Sequence, residues 1–536
     1  MKLNRLLRLW ALLGAAGLLP ACQQQSTEMV ATESVALPTE PAAEPGPSSV
    51  PDPADPGRES RDNYAVVHEN PFLDARRNPL STFAIDVDKA SYTNVRRYLR
   101  EGQLPPPDAV RLEEFINYFP YRYPQPGTAP ASLNAEVAAC PWNPAHQLVL
   151  LGVQGRDIPT AQLPPANLVF LLDVSGSMND PQKLPLLKES LRLLVQQALR
   201  PQDYVAIVVY AGAAGVVLPP TSGAEPNTIV RALDALEAGG STAGGEGLRL
   251  AYQLARQHFR PEGNNRIILA TDGDFNVGEQ SDADMERLIT QERSSGVFLS
   301  VLGFGSGNLQ DSKMELLADK GNGNYAYIDQ LNEARRVLVQ QFGGTLFTLA
   351  KDVKIQVEFN PSQVREYRLL GYENRLLAAE DFNDDRKDAG ELGAGQQVTA
   401  LYEVVPTNAP AIASAGAVDA LKYQRGRLSS AADGRELLTA KLRYQSPQGG
   451  SSQLLTLPVR AAQPAIEVAA ASDNLRLAAA VAQFGLLLRS SGQRGSATWA
   501  STAALARQTA DGPDPDGARA EFRELVRQAA ALGELR

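Results

Sequence analysis

The sequence predicts an α/β protein: a doubly wound, mostly parallel sheet inserted in a β-sandwich, with a small N-terminal α/β module and a C-terminal helical segment. Three observations carry this expectation. Strand and helix signals alternate from Pro165 to about Gly343, the pattern of a parallel sheet covered by crossover helices. On either side of that stretch strands follow one another without helices, and after Asp473 the apolar spacing is helical throughout. At 536 residues the chain is too long for one core, and roughly 150 residues per domain implies about three or four units. An apolar content of 43% and a charged content of 21% suit a folded protein. A net charge of -10 argues against nucleic acid, whose binding needs a positive surface that releases counterions.

Residues 1–22 read as a lipoprotein signal peptide. Lys2, Arg5 and Arg8 precede an apolar stretch, Leu9 to Leu19, too short to span a bilayer but suited to a secretory segment. Leu19-Pro20-Ala21-Cys22 resembles a bacterial lipobox, which implies a lipid on Cys22 as the first mature residue. Loss of the three basic residues makes the mature chain about three charges more negative. Cys140 is the only other cysteine, so it has no intramolecular disulfide partner once Cys22 is lipidated and reads as a small buried side chain. Gln23 is not the Asp that retains diderm lipoproteins at the inner membrane, so the resemblance implies an outer-membrane anchor facing the periplasm.

Residues 23–61 are rich in Pro, Ala, Glu and Ser and cannot bury a core. They read as a disordered tether with a reach on the order of 40 Å or more. Residues 62–130 read as a compact N-terminal module: a strand at Thr82 to Val87 and helices around Tyr92 to Arg100 and Ala109 to Tyr118. Asp86 and Asp88 after the strand resemble the Asp-x-Asp of haloacid-dehalogenase phosphatases, but Ala90 stands where that family has a hydroxyl or β-branched residue. The expectation here is a strand end that caps the next helix.

In residues 165–343, strands are expected at Leu168 to Val174, Tyr204 to Tyr210, Arg266 to Thr271, Val297 to Gly303 and Tyr325 to Ile328, with an antiparallel edge at Gly215 to Leu218. Helices are expected at Leu184 to Leu199, Gly247 to His258, Ala283 to Arg293 and Asn332 to Gln341. The run Leu168 to Leu172 is apolar without alternation, as in a strand buried on both faces. It ends in Asp173-Val174-Ser175-Gly176-Ser177, an all-oxygen set where ligands of parallel sheets collect. Such hard ligands select Mg²⁺, Mn²⁺ or Ca²⁺.

Flanking strands are expected at Ser132 to Ala138 and Gln147 to Gln154, within residues 131–164. They would pair with Val353 to Phe359, Val398 to Val404, Leu437 to Tyr444 and Gln453 to Val459 of a sandwich spanning residues 344–465. Asp381, Asn383 and Asp385 resemble the start of an EF-hand loop, but Arg386 and Leu392 occupy its glycine and glutamate positions; a solvated hairpin loop is expected instead. Residues 470–536 form the helical segment.

Two further segments join the first motif. Gly239-Gly240-Ser241-Thr242 precedes a helix, and the strand Ile267 to Ala270 runs into Thr271-Asp272-Gly273. With these the sequence resembles the von Willebrand factor type A (vWA) domain and its metal-ion-dependent adhesion site (MIDAS). The resemblance implies metal ligands at Asp173, Ser175, Ser177, Thr242 and Asp272, with Mg²⁺, Mn²⁺ or Ca²⁺ as cofactor and an open coordination position for a partner's Asp or Glu. Glu246 and Asp274 beside the motif read as surface carboxylates, with support of the metal ligands or added charge at the site as the alternative. The segments NPLSTFAIDVDKASYTNVRRYL, LPPPDAVRLEEFINYF, GYENRLLAAEDFNDDRKDAGELGAG and FGLLLRSS further resemble the bacterial YfbK-like lipoproteins.

The expected function is that of a lipid-anchored envelope protein, bound to the membrane through its lipid, that grips an acidic group of a protein partner through the cation. The alternative is a structural or assembly factor whose metal only stabilises the fold. An enzyme is not expected. His68, His146 and His258 are the only histidines, and none fits a Ser/His/Asp or zinc spacing. Cys140 and His146 lie in strand-like sequence without a third orienting group. A magnesium-chelatase type role would need a cytoplasmic partner, whereas this chain carries an export signal.

Overall fold

The computed structural model describes residues 62–534 apart from 86–87, 242–243, 274–281, 343, 345–346, 386, 388, 411–427, 448, 462–464, 510–511 and 513. The N-terminal part holds β1 (Leu73–Asp74), β2 (Leu80–Ala84), α1 (Ala90–Arg100), α2 (Leu112–Tyr118), β3 (Ala131–Cys140) and β4 (Asn143–Gly155). The middle holds β5 (Ala166–Asp173), α3 (Leu184–Gln197), β6 (Tyr204–Tyr210), β7 (Ala214–Ser222), α4 (Pro226–Asp234) and α5 (Gly244–Gln257). It continues through β8 (Asn264–Thr271), α6 (Asp282–Arg293), β9 (Val297–Phe304), α7 (Asp311–Lys320), β10 (Tyr325–Ile328) and α8 (Leu331–Arg335).

These middle strands form one sheet in the order β10-β9-β8-β5-β6-β7, parallel except for the β6–β7 edge. All eight residues of β5 are buried, and the unbroken apolar run has a simple cause. Leu168, Phe170 and Leu172 face a core shared with α3, α4 and α8, while Val169 and Leu171 face one shared with α5, α6 and α7. From β5 the chain winds first to β6 and later returns to β8 on its other side. Strand order therefore reverses at β5, and in such sheets ligands bind beyond the carboxyl ends of the strands at that point, here β5 and β8.

After this unit come β11 (Thr348–Phe359), β12 (Val364–Leu370), β13 (Leu376–Leu377), β14 (Gly390–Gly393), β15 (Gln397–Pro406), β16 (Glu436–Gln445) and β17 (Gln453–Arg460). Strands from both sides of the insertion build two antiparallel sheets, one ordered β1-β12-β15-β4-β3, the other β13-β2-β11-β16-β17 with β14 also on β11. Their inner faces share one core that includes Val149, Leu151, Ile355, Val357, Tyr402 and Leu442. The tail forms α9 (Asp473–Leu488), α10 (Trp499–Arg507) and α11 (Ala518–Gly533). Ser472 and Thr498 cap α9 and α10 by accepting from Leu475 N and Ser501 N.

The N-terminal segment does not close on itself as a separate module. β2 pairs with β11 and belongs to the sandwich, whereas α1 and α2 share a core with α9, α10 and α11 through Tyr92, Phe115, Phe484 and Phe522. Asp88 does not cap α1, whose N-cap Lys89 has no side-chain cap bond. Its carboxylate instead accepts from Tyr325 N at 2.7 Å and faces Arg375 at 3.5 Å, tying the segment to β10. Asp86 lies outside the described residues.

Three of the longer elements lie outside the expected set. β12 contains Arg365, Glu366 and Arg368, and the buried Arg368 is tolerated because Glu403 on β15 accepts from it at 2.7 Å. α4 is only nine residues long, and α7 is short and interrupted by charge. The helix expected to Gln341 is α8 followed by a π-turn at Arg336–Gln340. Among the described residues no helix is long and apolar enough to cross a membrane.

Candidate metal centre

The site grows from the carboxyl ends of β5 and β8. Parallel register sets Asp173 beside Tyr210 at the end of β6, and the Tyr210 hydroxyl donates to Asp173 Oδ2 at 3.2 Å. Thr271, the last residue of β8, donates to the same oxygen at 3.2 Å, and Ser175 N–H donates to Oδ1 at 2.9 Å. Asp173 is fully buried and held by neutral donors alone in these contacts. Burial pushes its carboxyl above the usual range; the Ser175 bonds pull it down, and the neighbouring charge of Asp272 pushes it up again.

After Asp173 the chain makes a short 3₁₀ turn, Gly176–Asn179, anchored by the fully buried Met178. The turn brings Ser175 Oγ and Ser177 Oγ to 3.1 Å of each other. Ser175 is buried and Ser177 exposed, so the oxygen set has a dry floor and a wet lip. Gly176 N–H donates to Gly240 O at 3.1 Å and Gly239 N–H to Val174 O at 2.7 Å. These bonds clamp the exposed loop 239–241 against the turn. Thr242, the next expected ligand, lies outside the described residues, as do Asp274 and Cys22. Glu246 is exposed on the first turn of α5.

Asp272 follows β8 directly and is fully buried. Gly273 after it has φ 105°, and a Cβ there would lie 2.6 Å from Gln310 N and 2.9 Å from Asn308 O. Only glycine lets the chain turn this close to the 308–310 loop. That approach brings Asn308 Nδ2 to 3.4 Å of Asp272 Oδ2. Lys183, at the start of α3, donates from Nζ to the same oxygen at 2.8 Å.

Among the described residues no group of three or more His, Cys, Asp and Glu side chains forms a metal cluster. The set at β5 and β8 is of another kind, two buried carboxylates with two hydroxyls. Oxygen-only donors of this charge fit a hard divalent cation, and the exposed lip leaves room for water or a carboxylate from outside. Lys183, Tyr210, Thr271 and Asn308 were not foreseen. Register at the strand ends is the signal that could have found Tyr210 and Thr271, whereas Lys183 and Asn308 carry no periodic signal.

Asp385, Cys140 and His146 sit in structural surroundings. Asp385 accepts from Arg443 at 2.9 Å and from Ser452, which hold its carboxyl below the usual range. Cys140 is buried, and burial pushes its thiol up. His146 Nδ1 pairs with Glu403, which also accepts from Trp142 Nε1 at 2.9 Å.

Residues 167–341 match the family model of the von Willebrand factor type A domain. Residues 58–150 match the one described as von Willebrand factor, and residues 344–532 the one described as uncharacterized protein YfbK, C-terminal. Over 481 residues the chain is 44% identical to uncharacterized protein YfbK of Escherichia coli (strain K12), covering 88% of this chain and 82% of that relative. Inter-alpha-trypsin inhibitor heavy chain H3 of Homo sapiens is 30% identical over 264 residues, 45% of this chain and 28% of the relative. A solved structure, von Willebrand factor type A from Catenulispora acidiphila, aligns over 76% of this chain and 92% of its own with 17% identity and a TM-score of 0.41. By the match across most of both chains, the protein belongs to the YfbK family, built around a von Willebrand factor type A domain.

Proposed function

We propose that this protein is a lipid-anchored binding protein of the cell envelope that engages an acidic group of a protein partner through a divalent cation. A von Willebrand factor type A domain points to protein–protein interaction or adhesion rather than to catalysis. The observation that carries the finer reading is the half-buried, half-open oxygen set. Asp173, Ser175 and Asp272 form its buried part and Ser177 its exposed lip. Asp173, Ser175, Ser177, Thr242 and Asp272 would hold the cation, with Mg²⁺ favoured and Mn²⁺ or Ca²⁺ as substitutes. The bound ion supplies an electrophilic point to which an external carboxylate can attach. Cys22 would carry the lipid and residues 23–61 the reach, at an outer membrane facing the periplasm in a diderm cell.

Affinity purification of the full-length protein from envelopes, with and without EDTA, tests this reading. Wild type is expected to retain a partner that both EDTA and Asp173→Ala release. Complexes unchanged by either treatment would overturn it in favour of a structural role, in which the metal alters only thermal stability.

A further inference from the structure

The ion pair between Lys183 and Asp272 stands inside the proposed metal centre. Lys183 Nζ lies 2.8 Å from Asp272 Oδ2, with side-chain exposures of 10% and 0%, and 3.4 Å from Asn308 Oδ1. Asn308 Nδ2 lies 3.4 Å from the same Asp272 oxygen, so Lys183, Asn308 and this oxygen close a triangle. The lysine stem is also held. Gly305, just beyond β9, has φ 73°, and a Cβ there would come within 2.5 Å of Lys183 Cγ. The absence of a side chain at Gly305 is what admits the lysine. Asp173, by contrast, meets only neutral donors in its hydrogen bonds with Ser175, Tyr210 and Thr271.

Among the described residues, two carboxylates and one ammonium leave this cup with one net negative charge rather than two. We propose that Lys183 is a built-in counter-cation of the metal centre: it engages one oxygen of Asp272, weakens the grip on a bare divalent ion and leaves more of that ion's charge for a partner's carboxylate. A fixed positive charge beside a divalent ion repels it, and low local polarity strengthens that repulsion. The same charge neutralises Asp272 when no metal is bound, where a lone buried carboxylate would be costly. Cation and acidic partner then bind more tightly together than either does alone.

This inference rests on the metal-centre reading, and calorimetric titration of Mn²⁺ and Mg²⁺ into the full-length protein separates the two. Lys183→Met removes the charge and keeps the stem; Lys183→Gln keeps a hydrogen-bond donor without charge; Lys183→Arg keeps the charge. Met and Gln variants are expected to bind Mn²⁺ roughly tenfold or more tightly than wild type, with Arg close to wild type. Their metal-free forms should melt below wild type and show a larger rise with Mn²⁺. If the Met variant fails to fold, the Gln variant carries the test. Mn²⁺ affinity unchanged or weakened in the folded neutral variants would overturn the role of Lys183 while leaving the metal centre intact. If neither wild type nor the variants bind either ion, with or without millimolar acetate, both readings fail.

Discussion

Two charged clusters of this protein are built on opposite principles. Beside α1, Arg96 donates to Asp329 Oδ2 at 2.8 Å, to Tyr118 and Glu521 at 2.8 and 2.9 Å, and to Glu333 at 3.0 Å. Arg111 reaches Asp311 at 2.6 Å and also meets Glu114, which accepts from Ser91 N at 2.8 Å. This seam joins the N-terminal helices, the inserted domain and the last helix, with opposite charges facing one another indoors. The cup at β5 and β8 has two buried carboxylates, one ammonium and an exposed hydroxyl lip. A network whose charged groups already bond to one another holds parts together; one left open on one side can accept something from outside.

The sharpest way to break this contrast is to unbalance the seam. Arg96→Met leaves Asp329 and Glu333 buried without their main counter-charge and should cost about 3–5 kcal/mol in chemical denaturation. A loss under about 1 kcal/mol would mean the seam is no more structural than a surface pair.

Glu113 adds a pH dependence near the same seam. Its Oε2 is buried without a hydrogen-bond partner among the described contacts. Burial, then Glu373, raise its carboxyl from 4.5 to about 7, against the pull of Arg489. The folded state thus holds this proton more tightly than the unfolded chain. The contribution to stability is full below about 4.5 and is lost as pH rises to about 7, a swing of up to about 3 kcal/mol. Glu113→Gln should flatten that part of the profile in melts recorded between pH 5 and 8; an unchanged slope would remove Glu113 as its source.

The open cup predicts a response to ions instead. Wild type at a free Mg²⁺ concentration about a hundredfold above its Kd should gain about 2.7 kcal/mol, and Asp173→Asn should gain nothing. Equal gains would place the ion elsewhere. The smallest effect belongs to Arg443→Ala, which frees the half-exposed Asp385 and should cost no more than about 1 kcal/mol by thermal melt.

Much of the parallel sheet was legible because its strands are mostly apolar runs, and β5 and β8 close on the polar Asp173 and Thr271. Tyr204–Tyr210 and Tyr325–Ile328 fall where expected, and β5 begins only two residues early. The sandwich was legible as strands but not as pairings. β2 joins β11 across the whole insertion, a contact no local pattern encodes. β12 escaped because its buried arginine is balanced by Glu403, a partner 35 residues away. Asp173, Ser175 and Ser177 come together within one turn and could be read directly. Lys183 could not be, since its meeting with Asp272 depends on the 308–310 loop and on bare backbone at Gly305.

The insertion has a mechanical consequence. The inserted domain hangs from two strands, β4 before it and β11 after it, and these lie in different sheets. Each is hydrogen-bonded on both sides, β4 by β3 and β15, β11 by β2 and β16. A load on the inserted domain therefore enters two strands that each have neighbours on both sides, rather than a free sheet edge. Freeing either strand breaks two ladders where an edge strand would break one.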